Sequence, residues 1–308
     1  MASNILFTRE NLRETLDSID TILTDCDGVL WNGREAIEGA PETIQRLKAM
    51  GKRIFYVTNN SAMTRKQYAN KCNSLQFPAT EDDIISSAHV TAHYIKHTLK
   101  YSGKIYMIGK DGLEIELQDQ GFTVIGKGPE DLDTSDVNKL ASYKVDDDIG
   151  CVVVGYDPLF NYAKVFKAAS LLSKPNCHFI GTNIDSGLPM NDVFLPGTGS
   201  ILRCVEVASG RTATVMGKPS KPIFDMAMEM HKLNMARTIM IGDRLDTDIE
   251  LGHNCGFRTI HVHTGFNKLE DVQKLQASSD PEAKKRIPHF HIPSMLELGK
   301  LIQEVYTN

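Results

Sequence analysis

The chain has 308 residues, of which 41% are apolar and 24% are charged, as in ordinary globular proteins. Lys and Arg total 34 against 39 Asp and Glu, giving a formal net charge of −5, and no long block of one sign stands out. A broad nucleic-acid-binding face is therefore not expected. The first twenty residues lack the continuous apolar stretch of a signal peptide or membrane span, and the six cysteines are scattered singly without a CxxC pair. We expect a cytoplasmic protein with free thiols that binds neither nucleic acid nor membrane.

Short apolar, β-branched runs alternate with amphipathic stretches along the chain. This pattern predicts an α/β protein with a mostly parallel sheet covered by helices. Before residue 100 we expect two strands and three helices, namely strands at 21–24 and 53–57 and helices at about 41–51, 64–75 and 87–99. After residue 211 we expect three strands of the same sheet at 213–216, 238–241 and 259–262, and helices beginning near Pro222 and Thr247.

Between these two blocks lies a segment of about 110 residues with strand and helix signals of its own. The segment is long enough to be a separate domain inserted into the first one. Polar, glycine-bearing edges near residues 101–103 and 209–211 are plausible hinges. We therefore expect a core built from residues 1–100 and 211–308, with an inserted α/β domain at 101–210.

The strongest local signal is TILTDCDGVLW, in which an apolar strand leads directly into Asp25 and Asp27. Open α/β sheets bind their ligands at the carboxyl ends of their strands. Two carboxylates placed there suit a nucleophile at Asp25, which would attack phosphorus, and a proton-transfer group at Asp27. Alone, however, the same residues are equally consistent with an acidic turn that caps a helix.

Three further strand ends carry groups that could bind a phosphate or a metal. The second strand ends in Thr58, Asn59 and Asn60, where a hydroxyl and backbone amides can cradle phosphate oxygens, although this is also common turn chemistry. Lys218 follows residues 213–216 and could neutralise phosphate charge. Asp243 and Asp248 follow the strand at 238–241 and offer the hard oxygen ligands that Mg²⁺ prefers, although Asp248 could instead cap a helix. Together the four groups meet the needs of phosphoryl transfer.

These residues resemble the four motifs of haloacid dehalogenase (HAD) superfamily phosphatases, as DCDGV, TNNS, GKP and GDRLDTD. Within that superfamily the chain resembles the phosphoglycolate and pyridoxal phosphatase group, also known as 4-nitrophenylphosphatases. With the insert, the resemblance covers nearly the whole chain. It implies a Rossmann-like, doubly wound parallel sheet as the core and a large α/β cap of the C2 type at roughly residues 101–210.

The resemblance also implies residue roles. Asp25 would be the nucleophile and Asp27 the general acid and base. Mg²⁺ would be held by the Asp25 carboxylate, the Asp27 backbone carbonyl and Asp243, with Asp248 in or near that shell. The residues implied to bind the phosphate are Thr58, Asn59 and Lys218. The same cap class implies a homodimer formed through the cap.

The cap segment GTNIDSGLPM, residues 181–190, resembles the substrate-specificity loop of this group. Composition alone would favour a surface loop. Pyridoxal phosphatases carry a histidine before the proline, where this chain has Leu188. Leu188 resembles the phosphoglycolate phosphatase version and implies small phosphorylated metabolites such as 2-phosphoglycolate and glycerol 3-phosphate as substrates. A pyridoxal phosphate phosphatase and a phosphoprotein phosphatase are the alternatives.

Overall fold

A computed structural model describes residues 5–130, 132–190 and 193–306 of the chain. The strands are β1 (Ile5–Leu6), β2 (Thr21–Thr24), β3 (Trp31–Asn32), β4 (Glu35–Ala36), β5 (Arg53–Thr58), β6 (Ile84–Ser86), β7 (Lys104–Ile108), β8 (Val124–Ile125), β9 (Ile149–Val154), β10 (His178–Gly181), β11 (Gly187–Met190), β12 (Val193–Pro196), β13 (Thr214–Val215), β14 (Thr238–Gly242), β15 (Arg258–Val262) and β16 (Phe290–Ile292).

Helices separate most of these strands. The α-helices are α1 (Arg9–Ser18), α2 (Ala40–Ala49), α3 (Arg65–Ser74), α4 (Ser87–His93), α5 (Asp111–Asp119), α6 (Val137–Ala141), α7 (Tyr162–Leu172), α8 (Thr198–Ser209), α9 (Pro222–His231), α10 (Glu250–Cys255), α11 (Leu269–Ala277) and α12 (Met295–Tyr306). Short 3₁₀ turns lie at Glu81–Asp83, Met235–Arg237 and Glu282–Arg286, and π-helical turns at Tyr94–Thr98 and Leu245–Ile249.

The chain divides into two compact units. The first unit comprises residues 1–58, 65–85 and 218–308, and the second comprises residues 59–64 and 86–217. These limits differ from the predicted domain boundaries at 100 and 210, because residues 59–64, 86–100 and 211–217 group with the second unit.

The first unit is built on a sheet of order β1-β16-β15-β14-β2-β5-β6, in which β2 pairs in parallel with both β14 and β5. The chain leaves β2 towards β5 on one side and leaves β14 towards β15 on the other. The carboxyl ends of β2 and β14 therefore meet where the strand order reverses, which is where open α/β sheets bind ligands. All four residues of β2, Thr21 to Thr24, are buried, as predicted for this strand.

Helix α2 shows how the sequence specifies one covering element. Pro41 lies in the first helical turn, where its missing N–H costs nothing. Gly51 follows the helix with a φ of 79°, a conformation that glycine adopts without strain. Ile44 and Leu47 are fully buried, and each contributes about 1.5–3 kcal/mol by leaving water.

The second unit has its own parallel sheet, of order β13-β10-β9-β7-β8. Apolar residues of β7, β9 and β10 pack with α7 and α8 in one buried core, which includes Val152, Phe179 and Leu202. A separate antiparallel hairpin, β11 with β12, occupies part of the segment in which composition favoured a surface loop. The chain is thus an α/β protein with parallel sheets and flanking helices.

One predicted strand belongs to a different sheet from the one expected. Residues 213–216 were expected in the core sheet with β14 and β15, but Thr214 and Val215 pair in parallel with Ile180 and Gly181 of β10. The expectation is wrong because an apolar run predicts a strand but not its partner. The side of β10 not taken by β9 accepts β13.

Candidate active site

Three aspartates meet at the carboxyl ends of β2 and β14. Asp25 directly follows β2, and its N–H donates to the Ile241 carbonyl of β14 at 2.8 Å. Asp243 directly follows β14, and Asp248 lies in the π-helical turn after it. Each offers a carboxylate oxygen within 4.8 Å of the others, and we call these three residues the acid cluster. All are buried, with exposed fractions of 8%, 3% and 0% for Asp25, Asp243 and Asp248.

Lys218 is the cation of this cluster. Its ammonium lies 2.5 Å from Asp25 Oδ1 and 2.8 Å from Asp248 Oδ1, and it donates to the Val57 carbonyl of β5 at 3.2 Å. The side chain is only 2% exposed. A buried lysine needs such partners, because an unpaired ammonium is costly to remove from water. The lysine thus joins the ends of β2 and β5 to the turn that carries Asp248.

Small residues and backbone amides fix the acids in place. A Cβ added at Gly265 would lie 1.9 Å from Asp243 Oδ2, and one at Gly28, whose φ is +87°, would lie 2.5 Å from it. Only glycine leaves room for the carboxylate at these positions. The Phe266 N–H donates to Asp243 Oδ2 at 2.6 Å, and the Arg244 N–H donates to Asp248 Oδ2 at 3.1 Å. Gly265 and Phe266 were not found from the sequence.

Burial and mutual repulsion shape the ionisation of the site. Burial raises the pKa of Asp25, against the opposing effect of Lys218. Burial, reinforced by the charges of Asp25 and Asp248, raises the pKa of Asp243 well above its usual range. Burial also raises the pKa of Asp248, to about 6, despite Lys218. Burial acts to lower the pKa of Lys218, but Asp248 and Asp25 outweigh it and raise that pKa.

The donors of the cluster fit a hard divalent cation. Asp243 Oδ1 is buried and has no hydrogen-bond partner among the described residues, so one oxygen remains for a ligand. Asp248 Oδ1 is also buried without a hydrogen-bond partner among the described residues, although it lies 2.8 Å from the Lys218 ammonium, and Asp248 Oδ2 accepts from the Arg244 N–H. Three carboxylates with one lysine leave excess negative charge, which a Mg²⁺ ion bound through oxygen would offset. Asp25, Asp243 and Asp248 each present a carboxylate oxygen by which such an ion could be held.

Asp27 has different neighbours from the acid cluster. β2 ends at Thr24, so strand alternation does not extend to this residue. Its Oδ1 accepts from the Trp31 indole N–H at 2.9 Å and lies 3.9 Å from the Lys71 ammonium. Lys71 in turn lies over the Trp31 ring, 4.4 Å from its centroid. The carboxylate is 45% exposed and can meet a molecule arriving from solvent. Trp31 and Lys71 were missed from the sequence, although the single tryptophan beside the first motif was a usable signal.

The remaining predicted residues are divided between the units. Thr58 ends β5 in the first unit, where its hydroxyl is buried and lies 3.3 Å from the Tyr68 hydroxyl. Asn59 and Asn60 belong to the second unit. The Asn59 amide donates to Asp185 Oδ1 at 3.1 Å, and Asn60 Oδ1 accepts from the Ala62 N–H at 2.8 Å.

Leu188 also belongs to the second unit. It lies in β11, and its backbone is paired in register with Leu195 of β12. Its side chain lies outside the described part of the structure.

Comparison with known protein families identifies the class of enzyme to which this fold and this acid cluster belong. Residues 22–123 match the family model described as haloacid dehalogenase-like hydrolase, and residues 215–289 match a HAD-hydrolase-like model. The chain belongs to this family, and it is a phosphoric monoester hydrolase.

Its relatives match over nearly their full length. The chain is 40% identical to a glycerol-3-phosphate phosphatase of Homo sapiens, over 97% of this chain and 96% of that protein. It is 36% identical to chronophin of Homo sapiens, over 95% of this chain and 96% of that protein. A solved structure of a 4-nitrophenylphosphatase from Thermotoga maritima superimposes with a TM-score of 0.76 at 27% identity, covering 93% of this chain and 98% of that one. The described part of the chain contains no helix of the length and apolarity needed to cross a membrane.

Proposed function

We propose that the chain is a Mg²⁺-dependent phosphatase of small phosphomonoesters that works through an aspartyl-phosphate at Asp25. One observation carries this proposal: Asp25 lies buried where the strand order reverses, beside a buried lysine and an acid with an unused oxygen. In the first step an Asp25 oxygen bonds to phosphorus, the ester P–O bond breaks, and Asp27 gives its proton to the leaving oxygen. In the second step water bonds to phosphorus, the Asp25–phosphorus bond breaks, and Asp27 takes the proton of the water.

The other residues would hold the phosphate and the metal. Lys218 neutralises phosphate charge, and Thr58, Asn59 and Asn60 bind phosphate oxygens. Residues 101–210 would form the cap domain. Mg²⁺ would be held by Asp25, Asp243 and the Asp27 backbone carbonyl, with Asp248 in or near that shell. When bound, the ion supplies charge stabilisation for the transferring phosphoryl group.

Glycerol 3-phosphate and 2-phosphoglycolate are the substrates that we favour. The relatives named glycerol-3-phosphate phosphatase share 40% of their residues with this chain, against 36% for human chronophin. Leu188 in the specificity loop offers a pyridine ring no charged or hydrogen-bonding partner. Pyridoxal phosphate and phosphoproteins are the alternatives.

A phosphate-release assay over a panel of substrates tests the proposal. The panel contains glycerol 3-phosphate, 2-phosphoglycolate, pyridoxal phosphate and phosphopeptides, each with Mg²⁺ and with excess chelator. We expect the two small acidic esters to give the highest kcat/KM, and chelation to stop release. A preference for phosphopeptides or pyridoxal phosphate would overturn the substrate assignment, and full activity in chelator would overturn the metal assignment.

We also propose a homodimer formed through the cap and a cytoplasmic location. Strand β12 exposes the consecutive apolar residues Val193, Phe194 and Leu195, and an exposed apolar strand is suited to bury against a second copy. The cysteines of the described chain are free thiols, as in a reducing compartment. Light scattering at micromolar concentration should give the dimer mass, and a monomer mass would contradict the dimer.

A further inference from the structure

None of the sequence motifs includes the segment that follows β15. This segment, residues 263–267, lies in the first unit between β15 and α11, and we call it the β15 loop. Phe266 of the loop donates its N–H to the Asp243 carboxylate at 2.6 Å. The next residue, Asn267, donates its own N–H to the Asp243 carbonyl at 3.1 Å. The β15 loop therefore holds both the main chain and the side chain of a proposed metal ligand.

The side chain of Asn267 holds the turn that carries Asp243 at a second point. Asn267 Oδ1 accepts from the Leu245 N–H at 3.0 Å, and Asn267 Nδ2 donates to Asp271 Oδ2 at 3.3 Å. Asp271 lies in the first turn of α11 and also accepts from the Lys268 N–H at 3.1 Å. Asn267 is thus bound to a helix on one side and to the turn after β14 on the other.

Thr264 joins the same loop to the turn after β2. Its hydroxyl donates to the Gly28 carbonyl at 2.6 Å, and the Gly28 N–H donates to the Trp31 carbonyl at 2.8 Å. The two main chains are also in close contact, since a Cβ added at Gly28 would lie 3.0 Å from Gly265 Cα. Gly28 is therefore held at its N–H, at its carbonyl and at its Cα.

These bonds fix the direction of the Asp27 carbonyl. The Asp27 carbonyl and the Gly28 N–H belong to one planar peptide group, in which they point in opposite directions. The bond from this N–H to the Trp31 carbonyl therefore sets the orientation of the Asp27 carbonyl. The bond from Thr264 restrains the peptide group that follows. The Asp27 carbonyl is among the groups proposed to hold Mg²⁺.

We propose that Thr264 and Asn267 are positioning residues of the metal site, which hold the Asp27 carbonyl and Asp243 in fixed positions relative to each other. Mg²⁺ demands nearly octahedral coordination, so its affinity depends on how precisely its ligands are placed. The role of Thr264 and Asn267 rests on the proposed function, in which Asp243 and the Asp27 carbonyl bind Mg²⁺. Neither side chain is itself a ligand of the ion.

Calorimetric titration of the full metal-free chain with Mg²⁺ tests this role without measuring catalysis. Thr264→Val removes the hydroxyl and keeps the branched shape, whereas Thr264→Ser keeps the hydroxyl. The matched control is Thr238→Val, because the Thr238 hydroxyl also donates to a main-chain carbonyl, that of Asn234, at 2.8 Å. Thr238 begins β14, at the opposite end of that strand from Asp243. The control therefore loses the same kind of hydrogen bond in the same unit, away from the metal site.

We expect Thr264→Val to weaken Mg²⁺ binding by about 10–100-fold, the usual effect of losing a partner that orients a metal ligand. Thr264→Ser and Thr238→Val should bind Mg²⁺ as the wild type does. Asn267→Ala should also weaken binding, because the Leu245 N–H loses its acceptor. Urea unfolding shows which metal-free variants are folded, and either Thr264→Val or Asn267→Ala decides if the other does not fold.

Equal Mg²⁺ affinity in the wild type and in folded Thr264→Val or folded Asn267→Ala would overturn the role of the residue replaced and leave the metal site standing. An equal loss of affinity in Thr238→Val would also overturn the positioning role, because the effect would then be one of general stability. No Mg²⁺ binding to the wild type would overturn the metal site itself, together with the role that depends on it.

Discussion

Replacing Lys218 by methionine should destabilise the metal-free chain by about 3–5 kcal/mol, the usual cost of removing one partner of a buried ion pair. The lysine ammonium lies 2.5 Å from Asp25 and 2.8 Å from Asp248, and all three side chains are buried. Methionine keeps most of the apolar stem but removes the charge. The two carboxylates would then face each other and Asp243 without a cation.

The assay is urea unfolding followed by tryptophan fluorescence, in chelator and in excess Mg²⁺. Trp31 is the single tryptophan, is fully buried and lies in the first unit, so its signal reports the unit that holds the acid cluster. A matched control is Lys221→Met, at an exposed lysine, where the change should stay within about 0.5 kcal/mol. Mg²⁺ should recover part of the loss, because the ion supplies positive charge to the same carboxylates. A loss no larger than that of the control would refute the account of Lys218.

Three further outcomes follow from the site. Leu188→His should shift the ratio of kcat/KM values towards pyridoxal phosphate over 2-phosphoglycolate by about 1–3 kcal/mol if one polar contact is gained. An unchanged ratio in steady-state kinetics would contradict the role proposed for Leu188 in substrate choice. Trp31→Phe removes the N–H that holds Asp27 and should lower kcat more than it raises KM, whereas an equal effect on both would indicate a packing role only. Burial raises the pKa of Asp248 from 3.8 to about 6, so between these pH values the folded state holds a proton that the unfolded state releases. The free energy of unfolding of the metal-free chain should therefore fall as pH rises from about 4 to about 6. A urea midpoint that stays constant over that range would contradict this expectation.

Local sequence was sufficient to predict the elements that place the acid cluster. The apolar run at 21–24 forms β2 with the same limits, and the run at 238–241 forms all but the last residue of β14. Because parallel strands present their carboxyl ends at one edge, the meeting of Asp25 and Asp243 follows from topology alone. The contact of Lys218 with Asp25 also agrees with the proximity expected from the motifs.

Contacts between residues far apart in the sequence could not be predicted in the same way. β13 has a strand sequence, but its place beside β10 depends on which sheet edge is open. The hairpin of β11 and β12 arises in a Gly- and Pro-containing segment that composition assigns to a loop. The partners of Asp27 come from β3, at the end of the same motif, and from α3, and no local pattern links Lys71 to an aspartate so far away in the chain.

If the phosphoryl group passes through Asp25, the covalent aspartyl-phosphate can be trapped on that residue. Asp27→Asn with 4-nitrophenyl phosphate should let the first step proceed, because this leaving group needs no proton, while the hydrolysis of the intermediate is slowed. Rapid acid quench and peptide mass spectrometry should then find a phosphoryl group on the peptide that contains Asp25, and none in a folded Asp25→Ala chain. Turnover by Asp25→Ala, or a phosphoryl group on a different residue, would contradict the account.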